Sequence, residues 1–521
     1  MRDYFDIFYA GYWDSWPALQ GATGITYETN GGGKRGINHR RDDDLIMTLR
    51  MAIAKHFTAS MATVATAAAN RVERLRDFRR FFVSALEAGR ESDLQQVWVP
   101  QGKDPHRTRE MVRALRRSGV EVYETTEVST LTQGRTYLGE VKDDVIVPAG
   151  SYVIDLAQPK GRLARALLEQ DTVIDEAFVE RQQAKAHRNE QRGDNVPDDD
   201  YEFYDVTAWA LPLAYGVEAF QVGAAQEFVG TMIDEVPEVT VELPARATSA
   251  YVVAPGSEGA LKLGLDLLTE GYRVATAVRP LNVGGVAYAR GALVVRVGRN
   301  PDSLHGRIRE LATEHGVEVA SANTAFSETG ITGIGSESTF ALKAPKVLVA
   351  TGAGVTPASY GALHYLFEET YGLEFVPVSV DSIKEIDLRK FNVVILSSGW
   401  PGRYGRLLGQ SGKDNLKQWV TGGGTLICLR AAAELTIDAD TGWTSARRVG
   451  DSDQDGDDSG DKLEDEDAEP LPVPGAMLRV KVDHEHFITF GHEEDELPFL
   501  VNTDTFFTAS ETGINVLTFA E

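Results

Sequence analysis

Four groups of side chains in this chain have types and spacings that could do chemistry. The first is Glu28, which ends the apolar run from Gly21 to Tyr27 and precedes the loop Asn30-Gly-Gly-Gly33. A carboxylate at a strand end can serve as a general base, taking a proton from water and passing it to a leaving group. The second is Cys428, the single cysteine, in an apolar run from Leu426 to Leu429 with His484 and His486 downstream. A cysteine becomes a nucleophile when a histidine activates it and a carboxylate orients that histidine. The turn presenting such a nucleophile usually needs small residues two positions to either side, and here Leu426 and Arg430 stand there. Cys428 therefore reads first as a buried strand residue.

The third group has metal-ligand spacing. His187 and Glu190 match His-x-x-Glu in a charged stretch, and His484-Glu-His486 follows an apolar run. Both read first as surface segments, because a zinc site needs three converging ligands. The fourth is Asp451-Ser-Asp-Gln-Asp-Gly456, which opens like a calcium loop but has Lys462 at position twelve. That position calls for a bidentate glutamate, so the segment reads as a solvated acidic loop. Gly284-Gly285 and Gly352-Ala-Gly354 fall short of the glycine fingerprint of a dinucleotide site.

The elements that must position these groups follow from periodicity. Residues 21–28 read as a short strand and 44–88 as a long helical pattern, with Asp42 to Asp44 at its start and a break at Asn70. A strand over 96–100, a helix over 105–118 stopped by Gly119, and a strand over 121–125 make one β-α-β unit. A strand at 150–156 and a helix at 162–168 follow, then a polar surface loop over 181–202. A second α/β unit starts near Ala250 and a third at Lys346, the latter with strands at 347–350, 392–396 and 424–429. Strands alternating with helices predict mainly parallel sheets. Residues 450–470 are acidic and nearly free of apolar side chains, and are expected to be disordered.

Composition limits the function classes. A net charge of −26 would repel a phosphate backbone, so nucleic-acid binding is not expected. No run of ~18 apolar residues exists, so no membrane span is expected. The N-terminus has neither a basic nor an apolar signal region. One cysteine makes no internal disulfide and no cysteine-based zinc site.

Asp14-Ser-Trp-Pro17, the run ending at Glu28, the glycines after it and the long helix resemble, in that order, the last catalytic segment of carboxypeptidase A-like zinc metallopeptidases. The resemblance is closest to a bacterial branch with a long C-terminal extension. Tyr152 to Arg165, Phe203 to Trp209 and Leu211-Pro-Leu213 resemble that extension. The stretch from Lys346 resembles both the extension and a class I glutamine amidotransferase-like fold.

The resemblance implies a multi-domain α/β protein. Residues 1–90 would be the C-terminal part of a carboxypeptidase-like domain, 91–245 and 246–340 two α/β modules, and 341–521 the amidotransferase-like domain with the acidic insertion 450–470. It also implies that Glu28 is the general base in hydrolysis of terminal residues from a peptide substrate. Zinc is the cofactor of the complete family member, held by His-x-x-Glu and a later histidine upstream of the general-base strand. Only 27 residues precede Glu28 and none is histidine. The chain is therefore expected to be truncated and inactive as it stands, and exported like its family. The substrate-side tyrosine would be Tyr12 or Tyr9. A non-catalytic binding or scaffold protein and a Cys428-dependent amidase are the alternatives.

Overall fold

The computed structural model describes residues 9–29, 37–41, 44–170, 172, 174–191, 199, 201–202, 206–326, 332–400, 402–437, 441–449, 473–503 and 505–520. The chain divides into two compact units, Met1–Gly102 with Arg107–Val236 and Pro474–Ala476, and Lys103–His106 with Pro237–Val473 and Met477–Glu521. It is a mixed α/β protein.

Unit 1 begins with α1 (Ser15–Leu19), capped by the Asp14 carboxylate. Strands β1 (Asn38–Arg40) and β2 (Ile46–Thr48) then form an antiparallel hairpin. Asp44, expected at a helix start, has a φ of 62° in this hairpin's connection. A left-handed residue cannot sit in an α-helix. The helix therefore starts later, as α2 (Leu49–Ala69), with the Thr48 hydroxyl capping the Met51 amide at 3.3 Å. Helix α3 (Arg71–Glu91) follows directly, so the break at Asn70 is where the spacing placed it.

Next come β3 (Gln96–Val99), α4 (Pro105–Arg117) and β4 (Tyr123–Thr125). Gly119, with a φ of 86°, ends the turn after α4 as expected. Four short strands follow, β5 (Ser129–Leu131), β6 (Gly134–Thr136), β7 (Val141–Lys142) and β8 (Val145–Val147). Then come β9 (Tyr152–Asp155), α5 (Gly161–Leu168), α6 (Glu176–Glu190), α7 (Leu211–Tyr215), β10 (Phe220–Val222) and β11 (Gly230–Met232). The segment expected as a surface loop from 181 thus carries α6 as far as Glu190, started by the Asp175 side chain on the Phe178 amide.

The sheet order is β11-β4-β9-β3-β10-β6-β7. Every pairing in it is antiparallel, which corrects the parallel expectation. Strands β3 and β4 do run parallel to each other across α4, but β9 lies between them and opposes both. The chain reaches β9 through short hairpins, and a hairpin reverses direction where a helical crossover does not. The core between this sheet and its helices holds Val97, Tyr152, Ile154, Met111, Leu115 and Leu163, all without solvent exposure. Each such aliphatic side chain contributes about 1.5–3 kcal/mol by burial. At Gly89 of α3 an added Cβ would stand 2.1 Å from the Leu156 carbonyl oxygen, so only glycine permits this helix to lie there.

Unit 2 opens with β12 (Ala250–Val253), α8 (Glu258–Thr269), β13 (Ala275–Ala277), the hairpin β14 (Leu281–Val283) and β15 (Val286–Tyr288), β16 (Leu293–Arg296) and α9 (Leu304–Glu314). Strands β17 (Ala320–Ala322) and β18 (Thr339–Ala341) complete an antiparallel sheet, β17-β12-β16-β13-β18.

A second sheet holds β19 (Val347–Thr351), β20 (Phe375–Ser379), β21 (Val393–Leu396) and β22 (Thr425–Cys428), with α10 (Pro357–His364) and α11 (Arg403–Thr421) as crossovers. Among the described residues it alone is parallel throughout, ordered β20-β19-β21-β22. Its central strands, β19 and β21, are the apolar runs a buried parallel sheet requires, while the edge strands β20 and β22 are partly exposed. Helix α12 (Glu434–Ile437) and strands β23 (Val473–Val482), β24 (Glu496–Thr503) and β25 (Leu517–Phe519) end the unit. The expected insertion at 450–470 lies outside the described residues.

Candidate functional site

Residues 23–29 belong to no strand, which corrects the expectation of a strand ending in a carboxylate. The segment has no partner strand, so its main chain cannot form a ladder. It is held through side chains instead. The Asp14 carboxylate accepts hydrogen bonds from the Thr26 hydroxyl at 2.5 Å and the Ser15 amide at 2.8 Å. The Thr26 bond, more than the Ser15 amide, holds the Asp14 carboxyl below its usual range. The Tyr27 hydroxyl meets the Thr63 hydroxyl at 3.0 Å. Glu28 itself is exposed. Tyr9, one of the two expected substrate-side tyrosines, packs edge-on against the other, Tyr12, at 5.3 Å and against Trp209 at 5.6 Å.

A zinc ion needs three protein ligands and one open position. The side chains bonded around Glu28 are hydroxyls and one carboxylate, and no described group of three metal-binding side chains includes Glu28. This donor set does not fit zinc, and no catalytic step follows from it.

The other metal-like spacings do not converge either. His187 is exposed on α6. The His484 ring meets Asp495 at 3.2 Å, Glu485 pairs with Arg290 at 2.8 Å, and the His486 ring accepts from the Ile488 amide at 3.4 Å. Each of the three is committed to a different partner. The calcium-like segment 451–456 lies outside the described residues.

One group that sequence spacing did not reveal is brought together by packing. Asp266 on α8, Glu314 on α9 and His315 just beyond it hold their ligand atoms within 4.8 Å of one another. His315 Nε2 lies 2.6 Å from Asp266, and Arg307 lies 3.8 Å from Glu314. As built it is an ion-pair cluster whose donors are those a divalent cation accepts. Asp266 and His315 stand 49 positions apart, so only the packing of α8 on α9 could reveal them.

Cys428 ends β22, an edge strand of the parallel sheet, and packs with the core that contains Tyr404 and Leu416. Burial pushes its thiol up to about 12, so it stays protonated near neutrality and is a poor nucleophile. The sharp turn comes two residues later, at Arg430, with a φ of 50°. The residue displayed there is thus an arginine, whose guanidinium bonds Asn502 at the end of β24. His484 pairs with Asp495, before the start of that strand. Seven residues of extended chain, about 23 Å at ~3.3 Å per residue, separate those two anchors, so His484 is not drawn to the Cys428 turn.

What does come together is the carboxyl edge of the parallel sheet. The strand order reverses between β19 and β21, and the loops leaving these two strands meet there. The Thr356 amide donates to the Ser398 carbonyl at 2.9 Å and the Trp400 amide to the Gly354 carbonyl at 3.1 Å. A Cβ added at Gly399 would stand 2.2 Å from the Gly354 oxygen, so glycine is what lets the loops touch. Below them the buried Ser397 hydroxyl donates to the Ala350 carbonyl at 3.0 Å, and the Tyr404 hydroxyl donates to the Ser397 carbonyl at 2.6 Å. Trp400, 63% exposed, stands on this platform. Beside it Glu434 accepts from the Gly402 amide at 3.2 Å with one carboxylate oxygen, while the other is buried with no hydrogen-bond partner.

A depression of about 280 Å³ in unit 1 lies over Trp98 and is lined by Glu127, Thr130, Gln226 and Phe228. It gathers no catalytic set.

The fold and this edge define a mixed α/β protein with one open parallel sheet and a hydrogen-bonded platform at its strand-order reversal. No family model matches the chain, and neither a curated protein nor a solved structure does. No helix among the described residues is long and apolar enough to cross a membrane.

Proposed function

We propose that this chain is a relative of the zinc carboxypeptidases that binds a small ligand and does not itself hydrolyse peptides. The observation that carries the reading is the setting of Glu28, an exposed carboxylate flanked by threonine and tyrosine hydroxyls. A general base in such chemistry needs a metal-activated water within hydrogen-bond reach, and among the described residues the donor set for that metal does not surround Glu28. On this reading the amidotransferase-like domain also acts without a nucleophile, because Cys428 is half-buried and its thiol is held protonated.

The place for the ligand is the carboxyl edge at the reversal between β19 and β21, where open α/β sheets take their ligands. A peptide or amino-acid ligand and an exported location are what the family resemblance adds.

Thermal unfolding in the presence of free amino acids, dipeptides and mononucleotides tests the binding. At least one compound should raise the unfolding temperature of the wild type and not that of Trp400→Ala, which alters only an exposed side chain. A panel without effect, or shifts equal in both proteins, would count against the reading.

A further inference from the structure

Helix α2 stands in solvent along nearly its whole length. Of its 21 residues Ala52 alone is buried. Its sequence would ordinarily belong in a core, since it has only Arg50, Lys55 and His56 as charged or titratable side chains and no acid. Leu49, Ile53, Phe57, Met61 and Val64 recur at three-to-four spacing and are all exposed, Phe57 at 67%. That spacing makes one apolar stripe. The chain then passes into α3 through Asn70 alone, with the Asn70 amide bonded to the Thr66 carbonyl and the Arg74 amide to the Asn70 carbonyl. The apolar surface therefore extends past both ends of α2, to Leu45 and Ile46 before it and to Val72 and Leu75 after it, all four exposed.

We infer that this surface pairs with the same surface of a second copy of the chain, the two α2 helices running antiparallel about Ala59. Three features select a second copy in that orientation.

The first is area. At roughly 100 Å² each, the nine side chains present on the order of 900 Å², against about 800 Å² per partner in a stable interface and ~300–600 Å² for the largest patch of an ordinary monomer.

The second is shape. The large side chains of α2 lie in its N-terminal half (Leu49, Ile53, Phe57) and the small ones in its C-terminal half (Val64, Ala65, Ala68, Ala69). An antiparallel pair sets large against small, which fills the interface, whereas a parallel pair sets large on large and leaves a gap. With the two-fold axis at the level of Ala59, midway between Phe57 and Met61, Ile53 faces Val64 and Ala65 of the second copy, and the central pair, Phe57 on Met61, is closed by the flexible thioether side chain. Leu45 and Ile46 fall beside Val72 and Leu75, so the surfaces beyond the helix ends also meet. A closed two-fold pair requires this self-complementarity.

The third is charge. An antiparallel pair spaces the two Lys55 side chains about 12 Å apart along the axis and the two Arg50 side chains about 27 Å, at 1.5 Å per residue. A parallel pair in register would stack each cation on its copy.

Sedimentation and light scattering of the full chain at 0.15 M salt test the inference. A particle of twice 56.9 kDa is expected. Ile53→Glu with Phe57→Glu should give a monomer with unchanged circular dichroism. In a Cys428→Ala background, Ser60→Cys, exposed on the stripe and about 3 Å along the axis from its copy, should form a disulfide-linked dimer on mild oxidation, while Ala68→Cys, about 27 Å from its copy, should not. A monomer at all concentrations up to tens of micromolar overturns the inference. So does a dimer that survives the glutamate substitutions, or cross-linking at position 68 in preference to 60.

Discussion

The module from β3 to α5 in unit 1 and the module from β12 to α9 in unit 2 have the same plan. Each places a strand, a helix and a second strand parallel to the first, and inserts a later strand antiparallel between them: β9 in one, β16 in the other. Each has a small hairpin before the inserted strand and a helix after it. The final helices carry a common Gly-Arg-apolar run, Gly161-Arg-Leu163 and Gly306-Arg-Ile308. The plan is shared and the surroundings are not. Gly161 is jammed against the Leu156 carbonyl oxygen, while an added Cβ at Gly306 would meet nothing within 4 Å. Arg162 donates to the Phe81 carbonyl of α3, while Arg307 grips the Glu270 carboxylate on the surface. One plan thus docks the outer face of its final helix on α3 in unit 1 and leaves that face of α9 on the surface in unit 2.

The largest expected effects should be equal in the two modules. Leu163→Ala and Ile308→Ala each remove a side chain with no solvent exposure. Each should cost about 2–5 kcal/mol by the transfer and cavity terms, read as a fall in the unfolding temperature of its own unit. A cost confined to one module would break the analogy. Glycine substitution should then split them. Gly161→Ala puts a Cβ 2.1 Å from a backbone oxygen and should cost about 1–3 kcal/mol, whereas Gly306→Ala should stabilise α9 by about 0.5–1 kcal/mol through helix propensity. Differential calorimetry of the pair reads both signs.

Part of this plan was legible in the sequence. The strands at 96–99 and 347–351, the helix ended by Gly119 and the break at Asn70 follow from apolar spacing and from glycine and asparagine as punctuation. The parallel direction expected from 347 on is the one found, but the direction of the two earlier sheets was not legible. Alternation of strands and helices predicts parallel pairing only when every helix is a crossover between neighbours, and β9 and β16 enter by hairpins. The hairpin before α2 was missed because Leu45 and Leu49 suit a helical spacing while Asp44 adopts a left-handed turn. Among site residues, Leu426 and Arg430 marked Cys428 as a strand residue, and it ends β22. The cluster of Asp266, Glu314 and His315 was invisible, because it depends on one helix packing on another.

Smaller effects concern the two catalytic candidates, which stand in opposite settings, Glu28 exposed and Cys428 half-buried. Because burial raises the folded thiol from 9.0 to about 12, its contribution to stability is complete below the unfolded value. It is lost as pH rises through the folded one. Cys428→Ala should therefore flatten the decline in unfolding temperature between those limits. A thiol reagent at pH 8 should label Cys428 slowly until denaturant is added. Rapid labelling of the native chain would contradict its burial. The smallest effect is expected of Glu28→Gln, which should change stability by less than about 0.5 kcal/mol, as for an ordinary surface position.

The most direct test of binding without hydrolysis is the release of C-terminal residues from a set of N-blocked peptides by the full chain in the presence of zinc, compared with Glu28→Gln. The account predicts no release above the uncatalysed rate from either protein. Turnover by the wild type that disappears in Glu28→Gln would contradict it.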